Sequence, residues 1–281
     1  MKSTIFLVTN GFEGTWPAIQ YAAWLAQVIQ ASVTLVGVVE EHDEQHPVED
    51  MLSQAVALFQ KNAVTYERKI YKGQVEEIIK NEVKNEQMIL TFGPLGRSPL
   101  RRWLIGRSFR HIMAEVPAPI LYVPETRIPA KKILICFGGL GYTLTAEHLG
   151  ILVARASKAA LTFLHVVPPI DLDYPLAKEV HDNWQHLSDT DTLTGRTLRQ
   201  ALNVAQSAGV STEIRVRHGR VVSEILEEIR IGDYDLVCMG SSYSAHGLRH
   251  LYLPNITAEV AEVANYPVLT ARYRMEITVP V

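Results

Sequence analysis

The sequence predicts an α/β protein made of two tandem, doubly wound domains, each with a parallel sheet covered by helices on both faces. Two observations predict this class. Short apolar runs alternate with helical patterns along the chain, and the second half repeats the order of segments found in the first. Continuous apolar runs, rather than alternating apolar and polar residues, are typical of strands buried on both faces. We therefore expect each half to run β-α-β-α-β-α-β-α-β.

The second half repeats the elements of the first. The segments of the first half are a strand at 5–11, a helix at 16–30, a strand at 32–39, a helix led by Gly73, and strands at 88–93 and 116–123. Their counterparts are a strand at 133–139, a helix at 144–157, a strand at 159–167, a helix led by Gly219, and strands at 236–240 and 263–270. A proline-flanked polar stretch at 124–130 has the composition of a linker. It predicts domains at residues 1–125 and 130–281.

The second half is longer because of the segment 168–192, which we expect to be an extended loop with a helix that begins before Thr192. Its aspartates and histidines are residue types that bind metals, but their spacing fits no metal-binding motif. A solvated loop is the better interpretation.

The last strand of each half is apolar and would expose unpaired backbone at the edge of its sheet. These strands are the runs 120–123 and 268–271. We expect the two halves to pair or cover these edges about a pseudo-twofold axis, so that one chain resembles a dimer. Whether two whole chains also form a homodimer stays an open alternative.

Composition and charge exclude several classes of function. The 281 residues are 47% hydrophobic and 20% charged, as in soluble globular proteins, and the net charge of -3 provides no general basic surface for nucleic acid. No apolar run approaches the roughly 18 residues of a membrane span, and the N-terminus leads directly into a strand. We therefore expect a cytoplasmic protein without a membrane partner. Cys136 and Cys238 lie in apolar runs, which indicates buried, structural thiols.

The most informative motif follows the apolar run 88–92. Gly93, Gly96 and Gly106 are spaced as G-x-x-G-x(9)-G. Glycines at a strand end let backbone N–H groups approach an anion without interference from a Cβ atom, and a helix that starts at the third glycine would direct its positive end to the same point. The motif predicts a site for a nucleotide phosphate. The alternative is a glycine-rich turn in an ordinary surface loop.

Taken together, these features resemble the universal stress protein family over almost the whole chain. The resemblance is carried by the opening strand with Asn10 and Gly11, the second strand ending at Val38 and Val39, the glycine-led helices at Gly73 and Gly219, and the strand 235–240. It implies a five-stranded parallel sheet in each half. One branch of the family binds ATP through the same glycine pattern followed by Ser or Thr. The resemblance thus implies a site for ATP or another adenine nucleotide, with Mg²⁺ as a candidate companion ion, at Thr9, Asn10, Gly11, Val38, Gly93, Gly96, Gly106, Arg107 and Ser108.

Two residues of the first half depart from the family pattern. Asn10 stands where the family usually has an Asp that helps to hold the nucleoside, and it keeps a side-chain oxygen while it gains a donor. Arg107 stands where Ser or Thr is expected, with Ser108 one place later. Because an arginine at a helix N-terminus is unfavourable unless an anion is present, Arg107 is a candidate phosphate ligand. The alternative is a solvated residue at the start of a helix.

The second half departs further from the pattern, and we expect it to be a degenerate structural partner. Tyr243 stands at the second glycine of the motif, where its side chain would obstruct a phosphate, and Gly138 replaces the family's Asp. His246 and His250 have the spacing of metal ligands on a helix, but Gly247 between them favours a loop.

The sequence therefore predicts a protein that binds an adenine nucleotide in its first half and acts in the stress response by binding, not by catalysis. One alternative is a nucleotide-free scaffold of the same family, which would be favoured if Pro94 or Leu95 closed the cleft. Another is a slow ATPase or phosphotransferase, which would need a carboxylate for a metal and a base near the motif. The segment 93–108 contains neither Asp, Glu nor His.

Overall fold

The computed structural model describes residues 4–40, 47–84, 87–96, 108–138, 144–169, 184–241 and 256–272. The strands of the first half are β1 (Thr4–Thr9), β2 (Ser32–Val39), β3 (Tyr66–Lys72), β4 (Met88–Phe92) and β5 (Ile120–Tyr122). Those of the second half are β6 (Lys132–Cys136), β7 (Ala160–Val167), β8 (Thr212–His218), β9 (Leu236–Ser241) and β10 (Val268–Arg272). The helices are α1 (Trp16–Val28), α2 (Val48–Lys61), α3 (Val75–Glu82), α4 (Ser108–Glu115), α5 (Leu144–Ser157), α6 (Leu193–Ser207), α7 (Val221–Gly232) and α8 (Ile256–Val263).

These strands form one ten-stranded sheet in the order β3-β2-β1-β4-β5-β10-β9-β6-β7-β8. Within each half all neighbouring strands are parallel. The halves meet where β5 pairs antiparallel with β10, with Leu121 opposite Leu269. This pairing confirms that the two apolar edge strands cover each other. The exact division at residues 125 and 130 stays a prediction.

Helices cover both faces of the sheet, as the apolar strands predict. One face packs against α1, α2, α5 and α6, and the other packs against α3, α4, α7 and α8. The doubly wound α/β fold with a mostly parallel sheet is therefore confirmed. Cys136 and Cys238 are buried, and burial raises the pKa of both thiols, which suits structural residues.

The two outermost strands differ from the apolar pattern. β8 alternates charged and apolar residues, including Glu213 and Arg215, and β3 carries a run of three charged residues, 67–69. Among the described strands, each of these two has a neighbour on one side only, and charged side chains at a free sheet edge disfavour pairing with another chain.

Several boundaries differ from the sequence-based expectations. β6 ends at Cys136 and not at residue 139, α1 ends at Val28 and not at residue 30, and β10 covers Val268–Arg272 and not 263–270, because α8 continues to Val263.

Three further differences have a clear local cause. β1 ends at Thr9 and not at residue 11, because Gly11 turns the chain with a φ of 82°. β5 is confined to Ile120–Tyr122, since Val116 still donates its N–H to the carbonyl of Ile112 at the end of α4. Before Thr192 the structure has only a short 3₁₀ helix, Trp184–Asp189, in the described part of the segment 168–192. The α-helix α6 starts after Thr192, at Leu193, because the Thr192 side chain caps it by accepting from the N–H of Gly195.

Candidate functional site

The sheet topology provides a natural crevice in the first half. β1 lies between β2 and β4, so the chain leaves β1 towards one side of the sheet and later returns to its other side. In open α/β sheets, ligands bind outside the carboxyl ends of the strands at such a switch point. Val8 pairs with Phe92, and Asn10 and Gly93 follow these residues closely at the same end of the sheet. The first-half crevice is defined here as the space around Asn10, Gly11, Gly93 and Gly96.

Threonine hydroxyls fix the turn that follows β1. Thr9, which is fully buried, accepts a hydrogen bond from the N–H of Gly11 (3.1 Å) and lies 2.6 Å from the hydroxyl of Thr15. The Thr15 hydroxyl in turn donates to the carbonyl of Phe12 (2.7 Å). The left-handed φ of Gly11 allows the chain to turn within this network. Thr9 is therefore a structural residue of the crevice floor.

Asn10 joins the ends of three strands. Its Nδ2 donates to the carbonyl of Leu95 after β4 (2.9 Å) and to Oε2 of Glu40 after β2 (3.3 Å). Its Oδ1 accepts from the N–H of Phe12 (3.3 Å). Asn10 is 2% exposed and Leu95 is 6% exposed. The Asn10 amide therefore holds the segment after β4 against the end of β1.

Gly93 and Gly96 both lie against other parts of the protein. A Cβ atom on Gly93 would lie 2.8 Å from the carbonyl oxygen of Gly14 and 3.0 Å from that of Val123. Gly96 has a left-handed φ of 65°, and a Cβ atom there would lie 2.5 Å from the ring of Phe12. A Cβ atom on Gly14 would meet the same ring at 2.4 Å. The Phe12 ring thus lies between Gly14 and Gly96, and the glycines have a packing role independent of any phosphate.

Glu40 is the residue of this crevice that the sequence pattern missed. It directly follows β2, is 4% exposed, and its Oε1 lies 3.5 Å from the N–H of Val75 at the start of α3. Its carboxylate thus lies between Asn10 and the positive end of a helix, where a negative charge is favoured. The sequence did contain a signal for this residue, because Glu40 is an acidic residue at the carboxyl end of an apolar strand.

The remaining predicted site residues have different outcomes. The side chain of Val38 is fully buried in the core beneath α3, which leaves its backbone as the part that a ligand could contact. Ser108 is the first residue of α4. Gly106 and Arg107 lie outside the described residues. The structure therefore brings together Thr9, Asn10, Gly11, Gly93 and Gly96, and it does not address whether the third glycine joins them.

The second half has a corresponding switch point between β6 and β9 with different chemistry. The buried His165 ring lies with Nδ1 2.7 Å from the carbonyl of Phe137, and burial lowers the pKa of this imidazole. Glu147 in the first turn of α5 is 2% exposed, and its Oε2 has no hydrogen-bond partner among the described residues. Burial raises the pKa of this carboxyl from its usual 4.5 to about 7. Tyr243, His246 and His250 lie outside the described residues.

The described part of the chain offers neither a metal cluster nor a membrane-spanning helix. Within the described ranges, no group of three or more His, Cys, Asp or Glu residues is arranged to hold a metal ion. Among the described helices, none combines the length and apolar character needed to cross a membrane.

Comparison with known proteins decides the family. The model of the universal stress protein family matches residues 129–272, which is just over half of the chain and includes the second half. The chain belongs to the universal stress protein family. A universal stress protein of Synechocystis sp. is 21% identical over 307 residues and covers 95% of this chain and 99% of its own length.

Solved universal stress proteins also share this fold over both halves. One from Archaeoglobus fulgidus has a TM-score of 0.68 at 14% identity, with 96% of each chain covered. A putative universal stress protein from Pseudomonas aeruginosa has a TM-score of 0.64 at 17% identity, covering 96% of this chain and 93% of its own. Family membership gives the protein a role in the stress response, in a family whose members generally act by binding or regulation.

Proposed function

We propose that this universal stress protein binds an adenine nucleotide in the first-half crevice and acts by binding and not by catalysis. The observation that carries the proposal is the convergence of Asn10 and Gly11 after β1 with Gly93 and Gly96 after β4, at the switch point of the sheet. This is the position at which open α/β sheets bind their ligands. The adenine base is inferred from the resemblance of the glycine motif to the ATP-binding branch of the family.

The two sides of the crevice suit the two ends of a nucleotide. On the β4 side, the glycines and the arginines that follow them in the sequence favour the phosphates. On the β2 side, Glu40 and Asn10 provide acceptors for a nucleoside. Arg107 is proposed as the phosphate ligand in place of the family's Ser or Thr.

Catalysis is the weaker interpretation of this site. Hydrolysis of ATP would need a carboxylate to hold Mg²⁺ and a base to activate water. Among the described residues of the crevice, the carboxylate is that of Glu40, whose oxygens face N–H donors of Asn10 and Val75, an environment that suits hydrogen-bond donors and not a metal ion. Binding is therefore the proposed activity.

A nucleotide-free scaffold is the second candidate, and a specific contact favours it. Leu95 is buried and its carbonyl engages the Asn10 amide, while the Phe12 ring lies over Gly96. A nucleoside that used Asn10 as a donor would have to displace the Leu95 carbonyl. If the protein is a scaffold, these contacts persist and the crevice stays closed. If it binds a nucleotide, the segment after Gly93 has to move away from Asn10.

Thermal unfolding with and without ligand tests the proposal. A ligand that binds only the folded protein raises the melting temperature by mass action. We expect ATP to stabilise the wild type, and Arg107→Ala to weaken ATP about 10- to 100-fold while it changes adenosine binding little, because a charge-assisted hydrogen bond is lost. Arg107→Ser restores the family residue and should recover part of the affinity.

Arg110→Ala is the matched control for this experiment. Arg110 lies on α4 close to Arg107 in sequence and pairs with the largely buried Glu262 at 3.4 Å, away from the crevice residues named above, so its removal should leave ATP affinity unchanged. If millimolar ATP and adenosine both fail to stabilise the wild type, the nucleotide proposal is wrong and the scaffold candidate stands. A Gly96→Tyr variant, which would copy the tyrosine of the second half, does not test phosphate binding cleanly. Its Cβ atom alone would displace the Phe12 ring in the free protein.

A further inference from the structure

The side chain of Asn10 lies between two acceptors, one of which is the buried carboxylate of Glu40. The Nδ2 atom of Asn10 lies 3.3 Å from Oε2 of Glu40 and 2.9 Å from the carbonyl oxygen of Leu95, so both neighbours of this atom are acceptors. An aspartate at this position would place a second carboxylate beside Glu40, with both side chains almost fully buried. Two carboxyl groups that are buried side by side cannot both be stably ionised. Asn10 and Glu40 are therefore a matched pair.

The position of Glu40 also sets the direction in which a nucleotide can lie. Neighbouring strands are about 4.8 Å apart, so the ends of β2 and β4, on either side of β1, are separated by roughly 10 Å. Glu40 lies at the β2 end, and the glycines lie at the β4 end. A phosphate next to Glu40 would be repelled, whereas a hydroxyl group could donate to it. The crevice therefore has a donor-binding side and a phosphate-binding side.

We propose that Glu40, and not residue 10, supplies the carboxylate that binds the ribose hydroxyls of the ligand in this protein. The inference rests on the proposed nucleotide binding and names its ligand class: ribonucleotides in preference to 2′-deoxyribonucleotides. A carboxylate has two oxygens and can accept from both hydroxyls of a ribose. In this arrangement Asn10 orients the Glu40 carboxylate by donating to Oε2, and the N–H of Val75 approaches Oε1.

The first arm of the test measures stability and needs no ligand. Asn10→Asp should lower the melting temperature by about 5 °C, because it creates the buried pair of carboxylates. The double variant Asn10→Asp/Glu40→Gln moves the single carboxylate to residue 10 and should recover at least half of that loss. Glu259→Gln, at an exposed position of α8, is the control for the change of Glu to Gln and should be neutral. A double variant as unstable as Asn10→Asp would overturn the matched pair.

The second arm measures the binding of ATP and 2′-deoxy-ATP by calorimetric titration. We expect the wild type to prefer ATP, and Glu40→Gln to weaken ATP about tenfold or more while it changes 2′-deoxy-ATP less. Asn10→Asp/Glu40→Gln should regain the preference. Equal binding of both ligands by the wild type, or an unchanged preference in Glu40→Gln, would overturn the inference while nucleotide binding itself stands. If the wild type binds neither ligand, the proposed function is refuted, and with it this role of Glu40. The stability arm needs no ligand, so it would still test whether Asn10 and Glu40 are a matched pair.

Discussion

Asn10 shows that a departure from a family pattern has to be judged with its partners. In the sequence, Asn10 is a substitution for an aspartate that weakens a nucleoside contact. In the structure its amide donates to Leu95 and Glu40, and an aspartate could donate to neither. The site therefore has its carboxylate at Glu40 and an amide at residue 10, where the family pattern has a carboxylate. The local sequence did not reveal this arrangement, because 30 residues separate the two side chains.

Glu147 is a second residue whose role depends on its surroundings. It is the fourth residue of α5, and the corresponding fourth residue of α1 is Ile19, which is fully buried in the core. Glu147 thus places a carboxyl group where the first half has an aliphatic side chain. Because its Oε2 has no partner among the described residues, burial of the charged form destabilises the fold.

The stability of the protein should consequently depend on the ionisation of Glu147. Its pKa is about 7 in the folded protein and 4.5 when unperturbed, so the folded state binds the proton more tightly, and stability falls as the pH rises from about 4.5 to 7. We expect Glu147→Leu to melt roughly 5 °C above the wild type at pH 8, with a smaller difference at pH 5. Glu259→Leu, at an exposed position of α8, should show no such dependence. A Glu147→Leu effect that is equal at both pH values would refute this account.

At the scale of elements, the apolar runs predicted most of the fold because burial on both faces leaves a strong local signal. β2 at 32–39 and α5 at 144–157 have the predicted boundaries. The apolar pattern does not predict the boundary of an element where another interaction sets it. An example is the start of α6, which is set by the capping side chain of Thr192. The apolar pattern also fails for the charged strands β3 and β8, because a free sheet edge has no second neighbour to bury it.

The pairing of β5 with β10 makes a prediction about backbone protection. Both strands have hydrogen-bonded neighbours on each side, whereas β3 is paired with β2 only. In hydrogen exchange of the intact chain, peptides that cover 120–122 and 268–272 should exchange more slowly than peptides that cover 66–72. The peptides from β3 serve as the internal control. Exchange in β5 and β10 as fast as in β3 would mean that the two halves separate in solution.

The candidate site was predicted only in part, for a physical reason. The resemblance to the family implied a site that joins Asn10 and Gly11 with Gly93 and Gly96, and the structure brings these two strand ends together. Glu40 and Phe12 were not predicted as members of the crevice, and Leu95 was considered only as a residue that could close it. Their roles depend on contacts between the ends of different strands, and these contacts leave no periodic pattern in the sequence.

At the scale of the whole molecule, the two halves have the same topology but different crevices. The first half has the convergent glycines and Glu40, whereas the second half has the buried His165 against the carbonyl of Phe137, after β6. The family model matches the second half, so membership of the family and the proposed binding site rest on different parts of the chain. We therefore propose a division of labour in which the first half binds the nucleotide and the second half completes the shared sheet.

The number of nucleotides bound per chain tests this division most directly. Native mass spectrometry of the intact protein, titrated with ATP up to millimolar concentration, counts the bound molecules on each chain. The account predicts saturation at one ATP per chain, with this single occupancy reduced in Arg107→Ala and unchanged in Arg110→Ala. Saturation at two ATP per chain, or no ATP bound at any concentration, would contradict it.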